Sequence, residues 1–491
     1  MKNVKNIGIV GGGTAGFVAA LILKRRFPEM NIDMIVSSKI GIIGVGEGST
    51  EHWKEFTEFI GVDTYTLIKE CDSTCKLGIM FDNWTDKPYF HSVQTEYNQF
   101  AGQYPYVYAR QIAHNEDPRS MSKGLYWDNK VESWYVGQPD LCPAAQFHFN
   151  TNKLNDFLTK LALERGIRIF DDEIVDVNLS EDGEISTLKG NKKEYNYDFY
   201  LDCTGFRKML ISKLGAKWNS YGKYLKMKAA IAFPTPDTEN YNIYTLARAL
   251  DYGWMFRLPV WGRGGNGYIY DSDYITKDQA KAEVEAHLGH EIEVGKEFNF
   301  DPGGLDRVWI KNCVAIGVSA SFIEPMEASS IGTSIQQAFL LMHRIANYDD
   351  HSIKVYNKAV TDILENIRDF VALHYVTKKR HNDFWKDVAA MELPDRLQGR
   401  LEVWKHKLPM REDFSDTSDY VLFKESHHTL VLQGLGLFDR NSIRREFETV
   451  EAPMQDHAHS IVSKLAEYEK TSKTITHKEY IKSIRDFNYA K

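Results

Sequence analysis

The 491-residue chain has only five cysteines, at positions 71, 75, 142, 203 and 313. So sparse and odd a set excludes a disulfide scaffold, and free thiols are expected. Cys71 and Cys75 stand four residues apart, which predicts one shared helix face. No histidine or second cysteine pair accompanies them, so no metal site is expected. No run of about 18 apolar residues exists, and no membrane span is expected. Positive charge is not in excess: 60 Lys+Arg against 68 Asp+Glu leave -8, which argues against a general nucleic-acid binder. Repeats, low-complexity tracts and flexible linkers are also lacking. The run Lys5-Asn-Ile-Gly-Ile-Val10 starts a strand almost at Met1. That leaves no room for a signal peptide, and a cytoplasmic location is expected.

What is present is the composition of a globular protein, 43% hydrophobic and 26% charged. Aromatics reach 13%, which suits flat apolar ligands and large cores alike. Residues 4–10 read as a strand, Phe17 to Phe27 as an apolar helix, and Asn31 to Val36 as a second strand. Between the first two lies Gly11-Gly-Gly-Thr14-Ala15-Gly16, which fits G-x-G-x-x-G at the entry of a βαβ unit. Gly11 allows the tight turn, Gly13 the approach of a pyrophosphate, and Gly16 close packing of helix on strand. The acid usual about 20 residues on, for a ribose, is missing: Val36-Ser37-Ser38 ends the second strand. A hydroxyl bonds a ribose through one oxygen only. Residues 51–75 read as helical, 80–150 as an aromatic-rich insertion, 225–270 as an antiparallel sheet, and the chain from Ile353 onward as mostly helix. Asn312 to Gly317 reads as a strand and Ser334 to Ala346 as a helix.

Three further segments narrow the reading. They are Gly44-Val-Gly-Glu47-Gly48-Ser-Thr50, Leu201-Asp-Cys-Thr-Gly-Phe206, and Ala315-Ile-Gly-Val-Ser-Ala320 running into Phe322-Ile-Glu-Pro-Met-Glu-Ala-Ser-Ser-Ile-Gly332. Together they resemble the flavin-dependent halogenases of the tryptophan-halogenase type, whose stretches read like GVGEAT, DCSGF and FIEPLESTGI. Gly253-Trp-Met-Phe-Arg-Leu-Pro259 is similar to the family's W-x-W-x-I-P signature, with Phe256 for the second Trp and Leu258 for Ile. Arg263, Gly265, Gly267-Tyr-Ile-Tyr270, Ile367-Arg-Asp-Phe370, His374-Tyr375 and Phe384-Trp385 extend the likeness, which covers most of residues 1–385.

The resemblance implies an α/β fold: a p-hydroxybenzoate-hydroxylase-like FAD-binding module over about 1–350, interrupted by insertions, and a mainly helical substrate module over 351–491. It implies that reduced FAD, O2 and halide yield hypohalous acid, which travels through the protein to a lysine beside an aromatic substrate. The flavin carries the redox chemistry; the protein separates and orients. In Ser73-Thr-Cys-Lys-Leu-Gly-Ile-Met-Phe-Asp-Asn-Trp84 the matching lysine is Lys76, and the matching glutamate is Glu327, the acceptor of the ring proton. Glu324 is the neighbouring acid, read as structural. The implied FAD contacts are Gly11, Gly13, Thr14, Ala15, Gly16, Ser38, Glu47, Gly48, Val318 and Ile331. Halide matches Ser329 and Ser330, and Trp254, Phe256 and Pro259 mark the passage between flavin and substrate.

This sequence departs from the family at Ala328, for Ser, and at Ser330, for Gly, so chloride, bromide and iodide all stay open. No NADPH-binding Asp-Gly motif of the aromatic hydroxylases is found, which points to a separate flavin reductase as functional partner. An FAD-dependent hydroxylase on the same fold is the alternative, and a non-catalytic flavin-binding protein the second. The expected substrate is a small free aromatic, an indole or a phenol. His427 and His428 read as core or surface histidines rather than pocket groups. A homo-oligomer is compatible with the sequence.

Overall fold

The structure is a computed structural model that describes residues 1–41, 47–93, 105–138 and 141–487. Residues 44–46 of the Gly44–Thr50 motif, and 94–104 and 139–140 of the expected insertion, lie outside the described residues. The apolar run after Lys5 forms the strand Asn6–Val10. It lies inside a six-stranded sheet, with Asn31–Val36 and Phe199–Asp202 parallel on either side. Arg168–Asp171 and Cys313–Ala315 extend the parallel set, and Trp309–Ile310 closes one edge antiparallel. Ile7 and Ile9 on one face and Val10 on the other are all buried, as expected for a parallel strand covered on both faces. The helix Thr14–Arg26 buries every residue from Gly16 to Leu23 and packs on the helix Ser329–Met342.

The three glycines of the turn serve three steric ends. Gly11 has φ +121°, and a Cβ there would sit 2.1 Å from the Cys203 carbonyl oxygen. A Cβ on Gly16 would sit 2.4 Å from the Gly11 carbonyl oxygen, so its absence lets the helix close on the strand. Gly13 meets nothing within 4 Å and leaves its backbone open. Gly11→Ala is therefore expected to destabilise the fold by roughly 2–4 kcal/mol, strain and overpacking together, and to weaken flavin binding. Thermal melting with and without FAD checks this.

A second sheet of seven strands carries the signature segment. Gly253–Val260 lies between Arg263–Tyr270 and Thr245–Ala249, antiparallel to both. Thr245–Ala249 in turn pairs parallel with Gly78–Asp82, which forms a hairpin with Tyr89–Ser92. A third, small sheet places Gln146–Phe149 between Glu47–Gly48 and Thr74–Lys76. Gly48 is thereby opposite His148, which is opposite Thr74 on its other side, and Lys76 faces Gln146. One narrow ladder so ties the glycine-rich motif to the lysine strand.

That ladder corrects one expectation. Cys71 caps the end of the helix Thr64–Glu70, Asp72 turns left-handed at φ 49°, and Cys75 lies in the strand Thr74–Lys76. The two cysteines share no helix face, because pairing with Gln146–Phe149 overrides the four-residue spacing. All five cysteines are free thiols. After Tyr348 the chain is mainly helical, led by the 25-residue helix Asp350–His374. Near the C-terminus Thr474–Thr476 returns to pair with Lys130–Glu132. Among the described residues no helix is long and apolar enough to cross a membrane.

Candidate active site

A cavity of about 660 Å3 opens at the C-terminal ends of the parallel strands, where open α/β sheets take their ligands. Gly11, Gly13, Thr14, Ala15, Ser38, Glu47, Gly48, Val318 and Ile331 all line it, as do Phe256 and Ser330. Gly16 does not; its role is packing. The helix starting at Thr14 is capped by Gly13 with no side-chain bond, so its first N–H groups are free to meet an anion. Asp202 shapes the opposite wall. Its buried carboxylate accepts from the backbone N–H groups of Thr204, Leu210 and Ile211 and from the hydroxyls of Thr204 and Ser319. This fixes the turn Cys203-Thr-Gly205, whose residues line the cavity. Ser37 lines the cavity as well, and so does Glu173, just past the neighbouring strand Arg168–Asp171. An acid thus lines the cavity beside the end of Asn31–Val36, which linear spacing does not reveal. Burial pushes the Glu47 carboxyl up to about 7, against the pull of Lys296.

Lys76 is outside that cavity. Its side chain is buried, and its Nζ donates to the Ser49 carbonyl at 2.7 Å. A Cβ placed on Gly48 would lie 3.3 Å from the Ala328 Cβ and 3.5 Å from the Lys76 Nζ. Gly48 and Ala328, both cavity-lining, thus form the wall behind which the amine sits. Burial lowers the amine to about 8, although Glu327 and Glu51 pull it upward. The unfolded chain therefore binds this proton more tightly, and the cost of folding around it is full below about pH 8. It fades as pH rises toward 10.5. Lys76→Met is expected to be more stable than the parent at pH 7 by up to about 3 kcal/mol, with the gap closing between about pH 8 and 10.5. Melting both proteins across that range checks the sign.

Glu327 is almost fully buried between two imidazoles. Its Oε2 is 2.8 Å from His91 Nδ1, and its Oε1 is 2.7 Å from His374 Nε2, the latter without good hydrogen-bond alignment. Burial would raise this carboxyl, but His91 and His374 outweigh it and hold it at about 2. The far nitrogen of His374 meets the Tyr89 hydroxyl at 3.0 Å, and the far nitrogen of His91 meets His427 Nδ1 at 3.0 Å. His427 Nε2 in turn lies 3.8 Å from Glu51. Sequence reasoning did not single out His91 or Glu51. It quoted His374 without a role and set His427 aside; only folding brings these groups around Glu327. His428 does belong to the core, ringed by Phe370, Trp404 and Phe414.

Two residues of the signature strand, Phe256 and Leu258, line the cavity. Phe256 faces the cavity, and Trp254 is buried and donates its Nε1–H to Glu324 at 3.0 Å. Tyr375 donates to the same Glu324 oxygen, so this acid ties the strand to the end of the long helix. The Pro259 carbonyl accepts from Thr74 Oγ1 at 2.7 Å, joining the signature to the lysine strand. Ser329 and Ser330 open the helix Ser329–Met342, five residues before the start expected from its apolar pattern. Ala328 caps it in a left-handed conformation, φ 52°, with no side-chain bond to the first turn. The early N–H groups there are free for an anion. Ser330 borders the large cavity and, with Ser329, a recess of about 20 Å3. Among the described residues no cluster of His, Cys, Asp and Glu is placed to hold a metal ion.

A cavity at the strand ends of a parallel sheet thus lies beside a buried lysine and near a buried glutamate. The tryptophan halogenase family model matches residues 6–447, and the chain belongs to that family. It is 31% identical over 453 residues to the 7-chloro-L-tryptophan 6-halogenase KtzR of Kutzneria sp. (strain 744), covering 82% of this chain and 86% of the relative. Tar14, a tryptophan C-6 flavin-dependent halogenase from taromycin biosynthesis, superposes with a TM-score of 0.86 at 27% identity, over 98% of this chain and 100% of that one. The tryptophan halogenase of Shewanella frigidimarina shares the fold at a TM-score of 0.90 and 24% identity, over 99% and 98% of the two chains. The fold is the p-hydroxybenzoate-hydroxylase-like FAD-binding α/β fold, and the protein is a flavin-dependent halogenase.

Proposed function

We propose that the chain halogenates a small free aromatic, an indole or a phenol, by passing hypohalous acid from the FAD cavity to Lys76. The observation that carries this reading is the placement of Lys76: a buried amine of lowered basicity directly behind the Gly48–Ala328 wall of the cavity. The cavity residues fit FAD. Gly13 and the free N–H groups that open the helix at Thr14 suit the pyrophosphate, Ser38 and Glu173 the ribose, and Phe256 and Ile331 the isoalloxazine region. When bound in reduced form, FAD with O2 and halide supplies the hypohalous acid.

The chain's own residues do the rest. The N–H groups around Ser329 and Ser330 hold the halide. Phe256 and Trp254 keep the two chambers apart, and Lys76 receives the oxidant as a hydrogen-bonded hypohalous acid or a haloamine. Glu327, held ionised and rigid by its two imidazoles, manages the proton at the ring. In this reading residues 1–350 form the discontinuous FAD-binding module, which also carries Lys76 and Glu327, and 351–491 the helical substrate module. FAD is an exchangeable co-substrate reduced by a separate flavin reductase. A panel of indoles and phenols, each with chloride, bromide and iodide, FAD, reductase and NADH, tests this by product mass. One halogenated indole or phenol is expected. Tight FAD reduced directly by NADPH, with a hydroxylated product, would contradict it.

A further inference from the structure

We propose that His91 and His427 form a two-way proton relay between Glu327 and the solvent at Glu51. This rests on the reading of Glu327 as the group that manages the ring proton. Two hydrogen-bond contacts make the relay's inner part, 2.8 Å from Glu327 to His91 Nδ1 and 3.0 Å from His91 Nε2 to His427 Nδ1, and Glu51 stands 3.8 Å from His427 Nε2, too far for a direct hydrogen bond, at the solvent end. Side chains are buried at its inner end, 2% and 0% exposed at Glu327 and His91, and more open at its outer end, 15% and 25% at His427 and Glu51. The other arm leads nowhere: His374 ends on the buried Tyr89. Both nitrogens of His91 are engaged, one inward and one outward, which an orienting role alone does not require.

The chemistry needs a path that works in both directions. In ArH + HOX → ArX + H2O, the oxygen of the hypohalous acid must gain a proton as the halogen leaves, and the ring carbon must lose one. At rest each imidazole carries its proton on Nδ1 and points it inward. A solvent proton enters at His427 Nε2; the Nδ1 proton of His427 passes to His91 Nε2, and that of His91 to Glu327. Glu327 gives it to the departing oxygen, which leaves as water while the ring's electron pair takes the halogen. The hop leaves both rings protonated on Nε2 and pointing outward. Glu327 then takes the ring proton, the C–H pair returns to the aromatic system, and the proton leaves by the same hops, restoring both tautomers. No proton is gained or lost over the cycle, and the two halves reset each other. The charged and titratable groups facing the relay are Lys76 and His374 beside Glu327, with Tyr89 behind His374, and Glu51, His52 and His428 around His427.

The test is steady-state halogenation by the full-length enzyme, with FAD and a flavin reductase, in His427→Ala, Glu51→Gln and Glu327→Gln. His427→Ala is expected to lower kcat by about 10²-fold, the lower end for general acid–base groups, with little change in KM. Added imidazole should restore the rate, and methylimidazoles of different basicity should move the pH profile in step with their own pKa. Glu51→Gln leaves both imidazoles in place and should shift the pH profile without removing activity. It covers the case in which His427→Ala fails to fold. A wild-type rate and pH profile in both relay variants, with Glu327→Gln impaired, would overturn the relay alone. So would a loss in a folded His427→Ala protein that no imidazole rescues. Wild-type halogenation by Glu327→Gln would overturn the relay together with the reading of Glu327.

Discussion

Lys76→Ala is expected to abolish aromatic halogenation while flavin oxidation continues, so that hypohalous acid or hydrogen peroxide escapes into solution. The amine is outside the cavity that suits FAD and behind its Gly48–Ala328 wall, so its removal spares the flavin chamber. What is lost is the carrier that converts a diffusing oxidant into one held against a ring. Positioning of this kind is worth on the order of 7–11 kcal/mol at most, which leaves negligible residual turnover. Oxygen uptake, product analysis and a hypohalite trap report the three quantities separately. Full halogenation by a folded Lys76→Ala protein would contradict the assignment. Loss of flavin oxidation would place Lys76 in the flavin chemistry instead.

Glu327→Gln is expected to be milder, costing about 10²–10⁴-fold in halogenation. The amide keeps the shape and an acceptor for His91, but it cannot take or give the proton. It also removes a buried charge paired with two imidazoles, a change that costs on the order of 3–5 kcal/mol when one partner is deleted outright and less for an isostere. Melting temperatures measured beside the kinetics separate the two effects. Glu327 pulls the Lys76 amine upward, so its neutralisation should lower that amine further below about 8. An unchanged rate in this variant would remove Glu327 from the chemistry.

The parts of the site built from local backbone needs were legible in the chain. Gly11, Gly13 and Gly16 announce a turn, an open approach and a close packing because each follows from a missing side chain at a fixed offset. Lys76 and Glu327 were legible through the motifs around them, although the likeness says nothing of their distance in space. The histidines were not legible. His91, His374 and His427 come from a hairpin strand and two separate helices, and no spacing along the chain signals that two of them flank Glu327 and the third backs His91. The helix at Ser329 begins five residues before its apolar pattern does, because its start depends on the left-handed Ala328 rather than on a capping side chain. Cys71 and Cys75 misled for a related reason: a four-residue spacing is helical only where no ladder claims the backbone. Glu173 lines the cavity from just past the strand Arg168–Asp171, a placement that the spacing after Val36 does not signal.

The central claim is that the oxidant made in the flavin cavity reaches the aromatic ring through the protein, without passing through bulk solvent. The direct measurement is product yield from the wild-type enzyme, with FAD, reductase, halide and substrate, as the concentration of an external hypohalite trap such as monochlorodimedone is raised. A confined passage to Lys76 predicts a yield that stays constant while the trap remains unhalogenated. A yield that falls in proportion to the trap, with the halogen appearing on the trap instead, would show free hypohalous acid acting in solution and would contradict the account.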